Sequence, residues 1–384
     1  MLKKSIPKDV NIGILGGGQL GKMLALAAAK MDLKLWILDR NDCPAKSLAF
    51  GFSEGDFRKY EDVYRFGKEM DIITIEIEDV NTDALKDLQR EGKLIHPDPA
   101  SIELIKDKGR QKLYYKEKGI PTAGFALYET MESIIMDTSD KKLRLPFVQK
   151  VRTTGYDGRG VCVIKSDEDL TGLFPGQSVV EEVIDIKKEI AIIAGRNRTG
   201  EIAIYPPVEM EFHSKANLVE RLICPADIHD KLHTQMRDLS KKLIRELNIR
   251  GLLAVEFFQT ADDKIVVNEI APRPHNSGHH TIEGCFPSQY EMHLRAIMDL
   301  PLYDPVLLSP TVMVNLLGSP GFKGKAIYKG VEECLAIPGV SVHIYGKDET
   351  RPWRKMGHVT IVDNHLERAL KKANFVCQSI KIIS

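Results

Sequence analysis

The sequence predicts an α/β unit built on a parallel sheet, followed by an α+β body of antiparallel strands and a small β-rich C-terminal domain. Three observations predict it. Apolar strands alternate with helical periods over the first hundred residues. Two glycine-rich turns each follow an apolar run, at Gly16–Gly21 and Gly155–Gly160. After Pro301 the chain changes to short strands and turns.

Taken in order, Asn11–Leu15 reads as a strand, Leu20–Lys30 as a helix and Lys34–Leu38 as a second strand. Ile72–Ile77 reads as a strand and Asp83–Arg90 as a helix. His96-Pro97-Asp98-Pro99 breaks the alternation, so the first domain is expected to span 1–100. A helix is expected over Ser101–Lys118, with Ser101 as its N-cap and Gly119 as its stop. Pro146–Lys150 and Val161–Lys165 flank the second glycine turn as hairpin strands, and Gly176–Val183 and Glu189–Ala194 continue an antiparallel region. Ile228–Leu247 has the period of a long amphipathic helix. The second domain is expected over 101–300 and the third over 301–384.

Bulk properties bound the function. Fifty-four basic residues balance fifty-four acidic ones, so no extended nucleic-acid surface is expected. Six scattered cysteines with no C-x-x-C pair suit a reduced, cytoplasmic protein. No apolar run is long enough to cross a bilayer, and no signal peptide is expected.

The segment Val267–His279, VNEIAPRPHNSGH, carries the most chemistry. Glu269 follows the apolar run Ile265–Val267, and Glu256 lies within a second run, Leu253–Phe258. An acid in an apolar strand is costly unless it is paired or bound to a cation. Hairpin strands would join Glu256 and Glu269, with Asn268 beside them, as hard oxygen ligands for magnesium and a phosphate. Arg273, His275 and Asn276 follow, residue types that hold anions. A zinc site from His275, His279, His280 and Cys285 is disfavoured because the intervening residues are anion-binding types.

Gly16-Gly17-Gly18-Gln19-Leu20-Gly21, with Asp39 ending the next strand, completes a dinucleotide fingerprint. Its physics is less selective, because any phosphate suits a helix N-terminus. A phosphate outside a dinucleotide is the expectation here, with nicotinamide binding and a purely structural turn as alternatives. In the second turn, three glycines let backbone N–H groups approach triphosphate oxygens, with Lys150 just before them. Glu181-Glu182-Val183-Ile184 would offer backbone groups to an adenine edge, and Glu189 would accept from ribose hydroxyls. Lys347 and Arg354 flank a polar turn and suit a phosphate clamp, although solvated surface cations are the commoner case.

Seven segments together resemble the ATP-grasp superfamily, and more closely its N5-carboxyaminoimidazole ribonucleotide synthetases. They are GGGQLGKM at Gly16–Met23, EIEDVN at Glu76–Asn81, DKGRQK at Asp107–Lys112, GYDGRG at Gly155–Gly160, NEIAPRPHNSGH at Asn268–His279, SQYEMHLRAI at Ser288–Ile297 and RKMGHV at Arg354–Val359. The resemblance implies an ATP-grasp fold with a Rossmann-like pre-ATP-grasp domain before it and a C-terminal β-rich domain after it. It implies a homodimer that carboxylates 5-aminoimidazole ribonucleotide, using ATP, Mg2+ and bicarbonate, in purine biosynthesis.

By the same resemblance, Lys108, Lys150, Gly155, Asp157, Gly158 and Gly160 hold nucleotide phosphates, Lys108 standing where the family usually has arginine. Glu181, Glu182, Val183, Glu189, His213 and Asn268 complete the nucleotide site, and Glu256 and Glu269 hold the metal. Gln19, Leu20, Glu76, Tyr156, Asp157, Arg159, His275, Asn276, Lys347 and Arg354 receive the ribonucleotide. Arg273, His275 and Lys150 act in catalysis, and the second glycine loop is the expected lid.

Overall fold

The computed structural model describes residues 9–153, 160–214 and 218–384. Its first unit is a five-stranded parallel sheet in the order β3-β2-β1-β4-β5. The strands are β1 (Asn11–Leu15), β2 (Lys34–Asp39), β3 (Gly51–Glu54), β4 (Ile72–Ile75) and β5 (Leu94–His96). Helices α1 (Gln19–Ala29), α2 (Tyr60–Lys68) and α3 (Thr82–Arg90) cover it. The central strands read as unbroken apolar runs because helices bury both faces. Accordingly Ile12, Ile14 and Leu15 of β1 are buried. The periodic reading missed β3, β5 and α2. Both strands are short, β3 is partly exposed, and the helix begins without a side-chain cap.

The single helix expected over Ser101–Lys118 is two helices, α4 (Pro99–Lys106) and α5 (Lys108–Glu117). Asp98, not Ser101, caps the first through Ala100 N, and Pro99 takes the first helical position. Asp107 then stands in extended conformation and caps α5, its Oδ1 accepting from Gly109 N and Arg110 N. Arg152 grips the same carboxylate through two nitrogens, at 2.8 and 2.7 Å. The break starts α5 at Lys108, on the wall of the main cleft. Ser101 Oγ instead donates to Leu247 O.

A four-stranded antiparallel sheet follows, in the order β6-β9-β7-β8. Its strands are β6 (Phe125–Tyr128), β7 (Phe147–Val151), β8 (Val161–Ile164) and β9 (Ser178–Glu182), with helix α6 (Met131–Ser139) packed against them. The connection after β9, carrying Val183, leads into β10 (Ile186–Arg196) of a nine-stranded sheet. That sheet contains β11 (Ile202–Ile204), β12 (Val208–Phe212), β13 (Val219–Cys224), β14 (Gly251–Thr260) and β15 (Ile265–Ala271). Helix α7 (Asp230–Glu246) buries Leu232, Met236, Leu243 and Ile244 in the same core as Ile190, Val255 and Phe257.

The C-terminal strands continue this sheet. Strand Thr311–Leu317 pairs with β13 through Arg221↔Val314 and Ile223↔Val312. Strands Lys355–Val362 and Val340–Ile344 extend it outward. The amides of Asn276 and Asn315 pair reciprocally at 2.9 and 3.0 Å, and Asn315 Nδ2 also donates to Val219 O at 2.8 Å. Asn315 is buried, so its loss leaves partners unsatisfied. Asn315→Ala should therefore lower unfolding free energy by about 1–3 kcal/mol in urea titration; a change under about 0.5 kcal/mol would remove this pairing from the joint.

Candidate active site

Strands β14 and β15 set the site's geometry. Glu256 pairs with Glu269 in register, but the next pair is Phe257↔Val267, so Asn268 is an extra residue in β15. A β-bulge of this kind re-aims side chains locally. Here Asn268 Oδ1 accepts from Lys150 Nζ at 2.9 Å, while Glu269 Oε1 accepts from Lys108 Nζ at 2.8 Å. Adjacent residues of one strand thus meet two lysines, from β7 and α5. On β10, Ala191 pairs with Glu256, which puts Glu189 two residues along the same face.

Three acids on this face carry unequal charge. Burial pushes Glu256 up to about 8, and the nearby Glu269 and Glu189 carboxylates push the same way. Burial also lifts Glu189 to about 7, against the pull of Lys150. Burial acts upward on Glu269 too, but Lys108, with Lys150 and His275 behind it, outweighs burial and holds the carboxyl below its ordinary range. Glu269 is half exposed and Glu256 much less so. A cation between them would favour the charged form of both.

A cleft of about 550 Å³ opens over these acids. Its walls bring together Gln19, Leu20 and Glu76 from the first domain, Lys108 from α5, and Glu256, Glu269, Arg273, His275 and Asn276 from the centre. Arg273 Nε lies 2.9 Å from Glu78 Oε1. His275 Nδ1 lies 2.9 Å from Ser277 Oγ and 3.8 Å from Glu256 Oε1. The His275 backbone is clamped by Gln289, which accepts from its N–H at 3.0 Å and donates to its carbonyl at 2.8 Å. The reading of SQYEMHLRAI as a motif pointed at this helix, Gln289–Ile297. Packed between α1 and β14, this helix buries every residue but Arg295.

The first glycine turn differs from the phosphate cradle expected of it. Gly17 N donates to Asp39 Oδ2 at 2.7 Å, and Gly18 N donates to Glu76 Oε2 at 2.5 Å, with Leu20 N 3.3 Å from Glu76 Oε1. The chain's own carboxylates occupy the helix N-terminus. Gly16 has φ +107°, and a β-carbon on Gly18 would lie 2.3 Å from Glu76 Oε1. The glycines are thus needed for a carboxylate's close approach. Burial raises Glu76 to about 7 despite these donors, and Asp39 adds to the rise.

Other expected residues fall in different places. Glu181 is buried between Lys112 and Lys150, each ammonium 3.0 Å away. Glu182 ends β9, its N–H donating to Gly124 O, and Val183 is exposed just beyond. His213 packs on Trp353 at a 4.8 Å ring separation and lines a separate 150 Å³ hollow. Asn276 faces the cleft but gives its amide to Asn315. Lys347 Nζ donates to Lys355 O and Arg354 donates to Glu349 O, while Lys355 itself lines the cleft. Lys355 was missed although it stands inside the quoted RKMGHV segment, because adjacent cations cannot be ranked without the strand's facing. Gly160 has φ +75° and its carbonyl accepts from Val151 N. Gly155, Tyr156, Asp157, Gly158 and Arg159 lie outside the described residues. His279 and His280 are fully buried, with Tyr290 O–H and Ser277 O as respective partners. Among the described residues no group of three or more His, Cys, Asp or Glu forms a metal cage.

Three segments of the chain match known protein families. Residues 10–106 match the ribonucleotide synthetase preATP-grasp domain, 113–290 the ATP-grasp domain, and 311–372 the phosphoribosylaminoimidazole carboxylase C-terminal domain. N5-carboxyaminoimidazole ribonucleotide synthase of Bacillus subtilis is 36% identical, the match covering 94% of each chain. The chain belongs to the N5-carboxyaminoimidazole ribonucleotide synthase family. The family's crystal structure from Thermotoga maritima superposes with a TM-score of 0.89 at 43% identity, covering 98% of this chain and 99% of that one. A family structure from Aspergillus clavatus, in complex with ADP and 5-aminoimidazole ribonucleotide, gives 0.87 at 31%, covering 97% and 98%. The chain spans about two thirds of some longer relatives, including 65% of the chloroplastic phosphoribosylaminoimidazole carboxylase of Vigna aconitifolia at 37% identity over 93% of this chain. No described helix is long and apolar enough to cross a membrane.

The raised carboxyls give a pH test. Between an ordinary value of 4.5 and about 8, folded Glu256 holds a proton that the unfolded chain has lost. The contribution of Glu256 to stability of the ligand-free protein should therefore fall as pH rises through that window. Burial holds His96, His279, His280, His293 and His358 below their ordinary 6.5, so they act oppositely until pH passes 6.5, and the decline shows above that point. Glu76 and Glu189 add the same sign up to about 7, whereas depressed Glu269 acts oppositely, losing stability only as pH falls below 4.5. Glu256→Gln should flatten the decline near pH 7–8 in denaturant titrations at stepped pH. An unchanged slope would show that Glu256 does not carry it.

Proposed function

We propose that this chain carboxylates 5-aminoimidazole ribonucleotide to its N5-carboxy derivative, consuming ATP and bicarbonate. The observation that carries this is one cleft lined both by the paired acids Glu256 and Glu269 and by the first-domain residues Gln19, Leu20 and Glu76. On this reading a phosphoryl-transfer centre and a second-substrate wall would share that space of about 550 Å³. The ADP and 5-aminoimidazole ribonucleotide held by the Aspergillus clavatus relative support the same pairing of ligands.

In this reading ATP enters between the four-stranded and nine-stranded sheets, its adenosine against Glu181, Glu182, Val183 and Glu189, while His213, on the separate hollow, is assigned to the nucleotide from sequence alone. Lys108, Lys150, Asn268 and the Gly155–Gly160 turn receive phosphates. Glu256 and Glu269 hold Mg2+, which would neutralise phosphate charge when bound. A bicarbonate oxygen attacks the γ-phosphorus, the bond to the β-phosphate oxygen breaks, and ADP leaves with carboxyphosphate formed. The exocyclic amine of the ribonucleotide then takes the carboxyl group and inorganic phosphate is released. Arg273 and His275, both on the cleft wall, are the groups suited to hold bicarbonate. Glu76, Gln19, Leu20 and Asn276 face the ribonucleotide, with Tyr156, Asp157 and Arg159 assigned to it from sequence. Lys347, Lys355 and Arg354 supply positive charge for its 5′-phosphate. A homodimer in the cytoplasm is the expected working form.

The test is ADP release with magnesium, ATP and bicarbonate, measured with and without 5-aminoimidazole ribonucleotide. Release should require the ribonucleotide, and bicarbonate label should enter an acid-labile product. Release indifferent to the ribonucleotide, with no labelled product, would overturn the acceptor assignment.

A further inference from the structure

Lys112 lies in the quoted DKGRQK segment, yet it does not line the cleft. Its side chain is 3% exposed, and its ammonium meets Glu181 Oε1 at 3.0 Å and Thr122 Oγ1 at hydrogen-bond distance. Thr122 Oγ1 in turn donates to Val267 O at 2.8 Å, next to the Asn268 bulge. The other Glu181 oxygen, Oε2, lies 3.0 Å from Lys150 Nζ. One buried carboxylate is thus shared by two ammoniums from different elements, α5 and β7. The group spans the junction between the two antiparallel sheets, where β9 leads into β10.

We propose that Lys112 is a positioning residue for the nucleotide site, supplying the charge that keeps Glu181 neutralised when Lys150 turns to a nucleotide phosphate. The inference rests on the ATP reading above. Its physical basis is the cost of an unpaired buried carboxylate. With Lys112 present, Lys150 can leave Glu181 Oε2 without stranding a negative charge. Without Lys112, Glu181 depends on Lys150 among the ion pairs of the described residues, and Lys150 is held away from the phosphates. Burial lowers Lys112 to about 8 even against the attraction of Glu181, so the folded site bears a real cost in keeping this ammonium. Lys112 touches neither the cleft nor the reacting atoms, so its effect must pass through Glu181 and Lys150.

The experiment is steady-state kinetics of the full chain with Lys112→Met, varying ATP and the ribonucleotide separately, alongside thermal unfolding with and without MgATP. The expected result is a roughly tenfold rise in KM for ATP, little change in KM for the ribonucleotide, and a weakened MgATP shift in melting temperature. Thr122→Val, which removes the hydroxyl beside Lys112, should move KM for ATP in the same direction by a smaller factor and decides the matter if Lys112→Met does not fold. A lowered melting temperature with unchanged KM for ATP would overturn the proposal and leave Lys112 a structural ion-pair partner. Equal rises in both KM values would overturn it too. Failure of the ATP reading itself is separate: the unmutated protein would then show no MgATP shift at all.

Discussion

Glu256 and Glu269 face one another across a single strand pair, and the surrounding site is organised around that concentration of negative charge. Like charges at adjacent positions on one face repel, and burial worsens the cost. The chain answers with protonation on one side and a lysine on the other: Glu256 is pushed up to about 8, and Lys108 holds Glu269 ionised. On the proposed reading, a divalent cation bound here would replace both devices at once. The bulge at Asn268 completes the arrangement by giving Lys150 an acceptor beside Glu269.

The rest of the fold delivers partners to those two strands. Asp107 breaks the α4–α5 connection so that a new helix begins at Lys108. Gln289 fixes the His275 backbone from a helix buried between the first domain and the central sheet. The glycine turn draws Glu76 onto its own amides and so shapes the cleft's far wall. The Asn276–Asn315 amide pair joins the same loop to the C-terminal strands. Several of these contacts join residues far apart in sequence, and together they bring three sequence regions to one cavity.

Much of this was legible in the sequence because acids inside apolar strands have few explanations. Glu256 and Glu269 sit in β14 and β15, and their pairing follows from a hairpin between neighbouring runs. The parallel sheet was legible from alternation, although β3, β5 and α2 escaped for want of a strong period or cap. The glycine turn was less transparent. Its motif reports that backbone amides approach an anion, and cannot say that the anion is Glu76, 58 residues away. Lys355 escaped because facing along Lys355–Val362 depends on pairing with Thr311–Leu317, a long-range contact. The break at Asp107 escaped because helical period runs through it, and the cap becomes visible only with Arg152 alongside.

Calorimetric titration of ATP, with and without Mg2+, into the unmutated protein and Glu269→Gln tests the central claim most directly. The account predicts that Mg2+ strengthens ATP binding to the unmutated protein and that this gain is largely lost in the variant. An equal gain from Mg2+ in both proteins would contradict it, and would take the cation away from the paired strands.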